Sequence, residues 1–255
     1  MAKVLVVNSN SSASATAQIE AGCKPYIPAG AEVDFITAEA GPEGIDTPLD
    51  VALSGLESVR AIVRYEDDYD AFIVACGNDP GLDVARQVTD KPVVGIAEAG
   101  ILFALMLGAK FSPLTLLRSE IPMVEEMVQR YGVSSRMASV ATLDVSAGEL
   151  IGGSAGDPYQ LFADAARRAK EEDMAEVVVL VGSVMAGLQD RLTEDIGIPV
   201  VSGMVCAIRL AGDMAALGMR TSRAFKYSTP EKSDRLVGYP DFQAVYGASE
   251  ATAGA

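Results

Sequence analysis

Histidine is absent from the 255 residues of the chain. Without an imidazole, the chain cannot build a Ser-His-Asp triad, a Cys-His pair or a His-based zinc or iron site. Any acid–base chemistry must therefore come from cysteine, aspartate, glutamate, lysine or tyrosine side chains.

Cysteine is scarce as well, with three widely separated residues, Cys23, Cys76 and Cys206, that form no C-x-x-C pair. An odd and sparse set of thiols argues against a disulfide framework and against structural zinc. Cys23 and Cys206 lie within helical apolar patterns, where we expect inert packing. Cys76 is left as the candidate for chemistry.

Basic residues are outnumbered, since 20 lysines and arginines stand against 35 aspartates and glutamates and leave a formal net charge of −15. Such a surface repels phosphate backbones and anionic lipid, so neither nucleic acid nor a membrane is expected as a partner. Apolar runs such as Val177–Val181 are far too short to span a bilayer. The first residues lead into a strand pattern rather than a secretory signal, so we expect a cytoplasmic protein.

Short β-branched runs alternate with helix-like stretches along the whole chain. Because runs of this length suit strands buried on both faces, they predict an α/β fold with mostly parallel sheets. A cap followed by proline marks three helix starts, at Thr47-Pro48, Asp79-Pro80 and Asp157-Pro158. The predicted strands are Lys3–Val7, Glu32–Ile36, Ala71–Ala75, Val93–Ile96, Phe111–Leu114, Ser139–Leu143, Glu176–Val181 and Pro199–Val201.

An internal repeat relates two parts of the chain, Phe72–Gly95 and Val177–Gly203. Each copy reads as a strand, a small-residue loop, a helix and a Pro-Val-Val strand, and the register places Cys76 opposite Gly182. Any two βαβ units share some likeness, but the matched Gly-Leu and Pro-Val-Val steps favour a true repeat. Two such units predict pseudo-symmetric lobes whose strand-end loops face each other across a ligand-binding cleft.

Cys76 ends a buried strand and is followed by Gly77, Asn78, Asp79 and Pro80. We expect Asp79 to cap the next helix, so that the thiol lies just before a helix N-terminus. The positive end of the helix dipole and nearby backbone N–H donors would then favour the thiolate. The alternative is that Cys76 is a small hydrophobic residue at a strand end.

Polar residues also follow the first strand, where Asn8, Ser9, Asn10, Ser11 and Ser12 precede a helix. Donors and acceptors crowded at a helix start form a natural site for a carboxylate or amide. Ordinary capping would need only one of them.

Two further strand ends carry candidate binding groups. Thr115 is placed to direct its hydroxyl into the cleft, although it is equally well explained as a strand former. Ser183 and the backbone amides after Gly182, including that of Val184, precede a helix expected to start near Met185 and would form an oxyanion nest. Phosphate binding is not indicated, because neither G-x-G-x-x-G nor a P-loop lysine motif is present.

At these residues the chain resembles the hydantoin-racemase branch of the aspartate/glutamate racemase superfamily. The family motif A-C-F-G-D-P-G-L is similar to Ala75–Leu82, and its opening V-N-P-N-T-S is similar to Val7–Ser12. Further matches are P-V-I-G-I-A-E-A with Pro92–Ala99, F-S-V-V-T-T with Phe111–Leu116, and L-G-L-x-T-S-K with Leu217–Arg223, followed by Tyr227, Pro230 and Lys232.

The resemblance implies two Rossmann-like lobes and a racemase or isomerase that acts on a small molecule without cofactor or metal, often as a homo-oligomer. We assign residues 1–97 with 208–240 to the first lobe, 98–207 to the second and 241–255 to a C-terminal tail. In the family, two cysteines on opposite faces of the substrate exchange roles as proton acceptor and donor.

The first of these cysteines corresponds to Cys76, but the second does not have a counterpart. The family motif L-G-C-A-G-M-A-G-L matches Leu180–Leu188, so the cysteine position holds Gly182, in agreement with the internal repeat. A shift of one residue would place Ser183 there, and serine is a poor base without an activating histidine. Loss of a positioned acid–base group costs about 10²–10⁴-fold in rate.

We therefore expect an isomerase-type enzyme that acts on a hydantoin-like ring or an amino-acid-derived acid, with Cys76 as base or acid. Backbone amides near Gly77-Asn78 and Gly182-Ser183 would hold an enolate oxygen, while Asn8, Asn10 and Thr115 fix polar groups of the substrate. Two alternatives stay open. Arylmalonate decarboxylases of the same superfamily keep a single cysteine, which makes a lyase possible, and a non-catalytic binding protein is the other.

Overall fold

The computed structural model describes residues 1–146, 148–149, 157–230 and 236–245. Lys232 and the part of the expected C-terminal tail beyond residue 245 lie outside the described residues. Among the helices that are described, none combines the length and the apolar character that crossing a bilayer requires.

The first four strands form one parallel sheet in the order β2-β1-β3-β4. Strand residues such as Val4–Val7 and Phe72–Val74 are fully buried, because helices cover both faces of the sheet. The strands are β1 (Ala2–Asn8), β2 (Ala31–Thr37), β3 (Ala71–Val74) and β4 (Val93–Gly95), and the connecting helices are α1 (Ala13–Cys23), α2 (Pro48–Arg64) and α3 (Leu82–Val88).

The next four strands form a second parallel sheet with the equivalent order β6-β5-β7-β8. All eight predicted strands are therefore present, and the α/β fold with two similar halves is confirmed. The strands are β5 (Phe111–Thr115), β6 (Ala141–Thr142), β7 (Val177–Leu180) and β8 (Val200–Ser202), and the helices are α5 (Ile121–Arg130), α6 (Pro158–Glu171) and α7 (Gln189–Ile196).

Two helices, α4 (Ile96–Leu107) and α8 (Gly203–Ala216), link the sheets. Ile96 packs in the core of the first sheet, whereas Ile101 packs against the second, so α4 contributes to both cores. The two helices cross in backbone contact, because a Cβ added at Gly203 would lie 2.3 Å from the carbonyl oxygen of Ile96. On this basis we propose the two lobes 1–97 with 208–240 and 98–207.

Two of the three predicted helix caps are confirmed. The Thr47 hydroxyl accepts a hydrogen bond from the backbone of Asp50 at the start of α2, and the Asp157 carboxylate accepts one from the backbone of Tyr159 at the start of α6.

The predicted cap at Asp79 is wrong. Its carboxylate accepts hydrogen bonds from the backbone N–H groups of Ala97 (3.1 Å) and Glu98 (2.8 Å), and so caps α4 rather than α3. The left-handed backbone at Asp79 (φ 44°) and at Gly81 (φ 71°) directs the carboxylate away from α3. The side chain therefore anchors the loop after β3 to the helix that links the sheets.

Candidate active site

The loops that follow β3 and β7 enclose a cavity of about 80 Å³ between the two sheets. Cys76 follows β3, which ends at Val74, and Gly182 stands at the equivalent place after β7, which ends at Leu180. The two loops are in direct contact, because a Cβ added at Gly77 would lie 2.7 Å from the carbonyl oxygen of Val181. The absence of a side chain at Gly77 permits this approach.

Most of the predicted site residues meet in this cavity. The structure places in its lining Asn10, Cys76, Gly77, Asn78, Thr115, Gly182, Ser183 and Val184. Asn8 and Ser11 are not part of the lining.

Asn8 instead holds the first loop in shape. Its side chain is 1% exposed, and its amide donates hydrogen bonds to Asn10 Oδ1 (2.9 Å) and to Thr16 Oγ1 (2.9 Å). Ser11 has a similar role, since its hydroxyl donates to the Gly41 carbonyl oxygen at 3.0 Å. The polar run is therefore mostly a scaffold.

Asn10 is the member of this run that faces the cavity. Its Oδ1 atom accepts from the Asn8 amide and from the Ser12 backbone N–H (3.0 Å), which fixes the orientation of the side chain. No described residue accepts a hydrogen bond from the Asn10 NH₂ group. That group is available to donate to a ligand carbonyl.

The Cys76 thiol is partly exposed to the cavity. Burial of the sulfur raises its pKa to about 12, although the backbone N–H groups of Asn78 and Gly77 lower it. The negative charges of Asp79 and Glu120 raise the pKa further. The expectation that the fold favours the thiolate is therefore wrong, because burial of the sulfur outweighs the backbone donors, α3 begins only at Leu82 and the near charges are acidic.

The other face of the cavity has no thiol at the equivalent position. A Cβ added at Gly182 would lie 2.6 Å from Met185 Cε, so the buried methionine side chain fills the space beside the glycine. The helix expected to start near Met185 begins at Gln189, and Ser183–Met185 forms a single 3-10 turn. This loop thus lines the cavity with Ser183, Val184 and Met185, none of which carries a strong acid–base group.

Cys23 and Cys206 lie away from the cavity. Both are unpaired and buried in helices α1 and α8, and burial raises the pKa of each thiol to about 12. They pack in the core of the first sheet, as their apolar surroundings predict.

Glu120 is a site residue that the sequence pattern did not identify. It lies in a 3-10 turn after β5 and is 6% exposed, yet it lines the cavity. Its Oε2 atom accepts hydrogen bonds from the Thr115 hydroxyl and from the backbone N–H groups of Leu116 (3.1 Å) and Leu117 (3.0 Å). The Thr115 hydroxyl is therefore bonded to the carboxylate.

The cavity is acidic. Three carboxylate residues, Glu43, Asp46 and Glu120, contribute to its lining, whereas no lysine or arginine does among the residues described there. Burial and the neighbouring Asp50 raise the pKa of Asp46. A carboxylate ligand would find repulsion here rather than a counter-ion.

Behind the Cys76 loop, the buried Asp79 carboxylate also accepts a hydrogen bond from the Tyr131 hydroxyl at 2.6 Å. Burial raises the pKa of Asp79 to about 6, although Tyr131 and two backbone donors lower it. These contacts join the loop to α4 and α5. In the described part of the chain, no three Cys, Asp or Glu side chains group as a metal site would need.

Known proteins are similar to this chain in sequence. A model of the Asp/Glu/hydantoin racemase family matches residues 4–211. The hydantoin racemase of Pseudomonas sp. (strain NS671) is 34% identical over 244 residues, which cover 94% of this chain and 96% of that protein. The hydantoin racemase of Paenarthrobacter aurescens is 32% identical over 238 residues, which cover 92% and 100%.

Solved structures are similar over nearly the whole chain. The allantoin racemase of Klebsiella pneumoniae superposes with a TM-score of 0.90 at 29% identity and covers 97% of this chain and 100% of its own. An arylmalonate decarboxylase has the same fold, with a TM-score of 0.56 at 17% identity over 85% of this chain and 93% of its own.

Proposed function

The chain belongs to the Asp/Glu/hydantoin racemase family and is an isomerase of the racemase type, and we propose that it exchanges the α-proton of a neutral hydantoin-like ring through Cys76. One observation carries this proposal: the Cys76 thiol lies in a cavity between two similar half-molecules, opposite the Gly182 loop. An acid–base group at such a junction can reach a substrate carbon held between the halves.

The charge of the cavity supports a neutral substrate. Aspartate, glutamate or a malonate would bring carboxylates next to Glu43, Asp46 and Glu120 without a cation in the described lining. Burying such unpaired like charges is costly. A hydantoin ring is neutral and offers two N–H donors and two carbonyl oxygens. The relatives named hydantoin racemase and allantoin racemase point to the same kind of ring.

The proposed chemistry begins with removal of the proton from the ring carbon next to a carbonyl. The Cys76 thiolate accepts that proton, and the electron pair of the broken C–H bond moves onto the carbonyl oxygen. The Asn10 NH₂ group and the backbone amides near Gly77-Asn78 and Gly182-Ser183 are the donors that would stabilise this enolate. The reverse proton transfer regenerates the ring.

In this proposal, racemisation is limited by proton return on the face of the substrate ring that lies opposite Cys76. Returning a proton to the opposite side needs a second donor, and the position that we assign to the family's second cysteine holds Gly182, with the weakly basic Ser183 beside it. We therefore expect racemisation to be slower than in a two-cysteine enzyme by about 10²–10⁴-fold.

The test follows the α-proton of D- and L-5-methylhydantoin in D₂O by proton NMR, with a blank that contains no protein. We expect the wild type to accelerate exchange and Cys76→Ala to lose at least about 10²-fold of that rate. Cys206→Ala is the matched control, since this buried thiol lies outside the cavity. If Cys76→Ala exchanged the proton as fast as the control, the proposed role of Cys76 would be wrong.

A second candidate function is a single-cysteine decarboxylase. It is favoured by the pKa of Cys76, about 12, which keeps the thiol protonated and ready to donate a proton to a carbanion. The acidic lining opposes it, because its substrate would be a dianion. Release of carbon dioxide from phenylmalonate decides between the two, and we expect none above the blank.

We further propose that the enzyme works in the cytoplasm as a homo-oligomer. The three cysteines are unpaired, which suits a reducing compartment. The family resemblance supports the oligomer, and light scattering on the purified protein measures its mass.

A further inference from the structure

The buried carboxylate of Glu120 faces the same cavity as Cys76 but comes from the opposite half of the molecule. Cys76 follows β3 of the first sheet, while Glu120 follows β5 of the second. Both residues line the cavity, and Glu120 is 6% exposed. A ligand held between the halves therefore lies between a thiol and a carboxylate.

The two oxygens of Glu120 have different surroundings. Three donors, from Thr115, Leu116 and Leu117, all bond to Oε2. No described residue donates to Oε1. An ionised carboxylate has acceptor sites on both oxygens, and Oε1 is open to the cavity rather than sealed in the core. The arrangement fixes the side chain through one oxygen and leaves the other to accept from a ligand.

Capping alone does not account for this placement. A residue that caps a turn uses one acceptor and is otherwise free to remain at the surface. Glu120 instead brings a negative charge into a cavity that already holds Asp46 and Glu43 at its rim, and that charge raises the pKa of Cys76. The cost of the buried charge is offset when a bound ligand donates a hydrogen bond to it.

We infer that Glu120 is a specificity-determining residue whose Oε1 accepts a hydrogen bond from a ring N–H of the substrate. This inference rests on the function proposed above and deepens it, since it names the feature that is recognised. Rings with a free amide N–H are accepted. Carboxylic acids are rejected by charge, and N-methylated rings are rejected because they leave Oε1 without a donor.

Glu120→Gln crossed with N-methylation tests the inference. Glutamine keeps a carbonyl oxygen for the backbone of Leu116 and Leu117 but presents NH₂ in place of Oε1. We expect kcat/KM for exchange of 5-methylhydantoin to fall about 10–100-fold, mainly through KM. For the wild type, methylation of one of the two ring nitrogens should lower kcat/KM by a similar factor. Glu120→Gln should not discriminate that N-methyl ring from its parent.

The matched control is Glu125→Gln, the same chemical change at an exposed carboxylate of α5 that does not line the cavity. It should keep the wild-type preference for the parent ring over the N-methyl ring. If Glu120→Gln lowered kcat/KM for parent and N-methyl rings equally, or changed neither, Glu120 would be a structural residue and the inference would be overturned.

Failure of the inference can be told apart from failure of the proposed function. A wild type that exchanges neither ring overturns the function, whereas exchange that ignores both N-methylation and Glu120→Gln overturns the inference alone. Should Glu120→Gln not fold by circular dichroism, the wild-type comparison of parent, N1-methyl and N3-methyl rings still decides, because a wild type indifferent to both methyl groups contradicts an N–H contact.

Discussion

At the scale of single residues, the chemistry depends on the protonation of the Cys76 sulfur. Burial and the acidic neighbours Asp79 and Glu120 place its pKa at about 12. The thiol is therefore the resting form at neutral pH, and the thiolate is a minor form. The few molecules with a Cys76 thiolate carry a strong base, whereas nearly all molecules carry a Cys76 thiol that can donate a proton.

This protonation predicts how the exchange rate depends on pH. If Cys76 acts as the base, kcat/KM for α-proton exchange should rise about tenfold per pH unit between about pH 6 and 8, because the thiolate fraction rises tenfold over each unit below the pKa. The measurement is NMR exchange in a pH series, corrected for the blank and repeated with Cys76→Ala, which should lack the rise. A flat wild-type profile would contradict the role of Cys76 as base.

Some of these residues could be predicted from the sequence and others could not. Cys76 and its two successors stand at a strand end and in a repeat, so local pattern sufficed to place them in the cavity. Asp79 was assigned to the wrong helix because its partners Ala97, Glu98 and Tyr131 are distant in sequence. Glu120 resembles an ordinary helix-start acid, and only the fold brings it beside the thiol.

At the scale of elements, the crossing of α4 and α8 holds the halves together. The two backbones touch at Gly203, where an added Cβ would lie 2.3 Å from the Ile96 carbonyl oxygen and 3.0 Å from its carbonyl carbon. Because both are backbone atoms, they cannot move aside easily. Gly212 on the same helix has ordinary space, with its nearest atom at 3.6 Å. The two glycines therefore differ in what an added methyl group meets.

Alanine at these two positions should have opposite effects on stability. Gly203→Ala should lower the free energy of unfolding by about 1–3 kcal/mol through overpacking. Gly212→Ala should leave it unchanged or raise it by about 0.5–1 kcal/mol, because alanine is the better helix former. Urea unfolding followed by circular dichroism measures both. Equal effects at the two positions would show that the helices do not cross in contact at Gly203.

The loop after β7 shows where sequence reasoning about elements stops. The apolar patterns predicted all eight strands. The helix after β7, however, starts four residues later than expected, at Gln189 rather than near Met185. Gly187 has φ 94° and Gly81, its partner in the repeat, has φ 71°. Both glycines lie in the turn just before the following helix, and backbone angles of this kind are not visible in an apolar pattern.

At the scale of the whole molecule, two halves with the same strand order carry different groups at equivalent positions. The repeat predicted the cavity between them, and the strand-end position predicted the thiol. The acidic lining could not be predicted, because Glu120 is distant in sequence from the neighbouring pair Glu43 and Asp46 and joins them only when the halves pack. The two faces of a bound ring are therefore chemically different.

A cysteine at position 182 should make the two faces more alike. Gly182→Cys needs the Met185 methyl group to move, because the new Cβ would lie 2.6 Å from it. The new Cβ would also lie 3.1 Å from Met185 Sδ and 3.2 Å from its Cγ, so the flexible methionine side chain has to repack as a whole. We expect this variant to racemise faster than the wild type, and Gly182→Ala, which adds the same Cβ without a thiol, to show no gain.

The difference between the two faces of the bound ring can be measured directly with each pure enantiomer of 5-methylhydantoin. Deuterium uptake and loss of optical rotation are followed in the same sample. With Cys76 as the acid–base group on one face, the wild type should take up deuterium in one enantiomer with retention, about 10²-fold or more faster than rotation is lost. If both enantiomers took up deuterium at equal rates, each as fast as rotation disappeared, a second acid–base group would have to act opposite Cys76, and the account given for this enzyme would be contradicted.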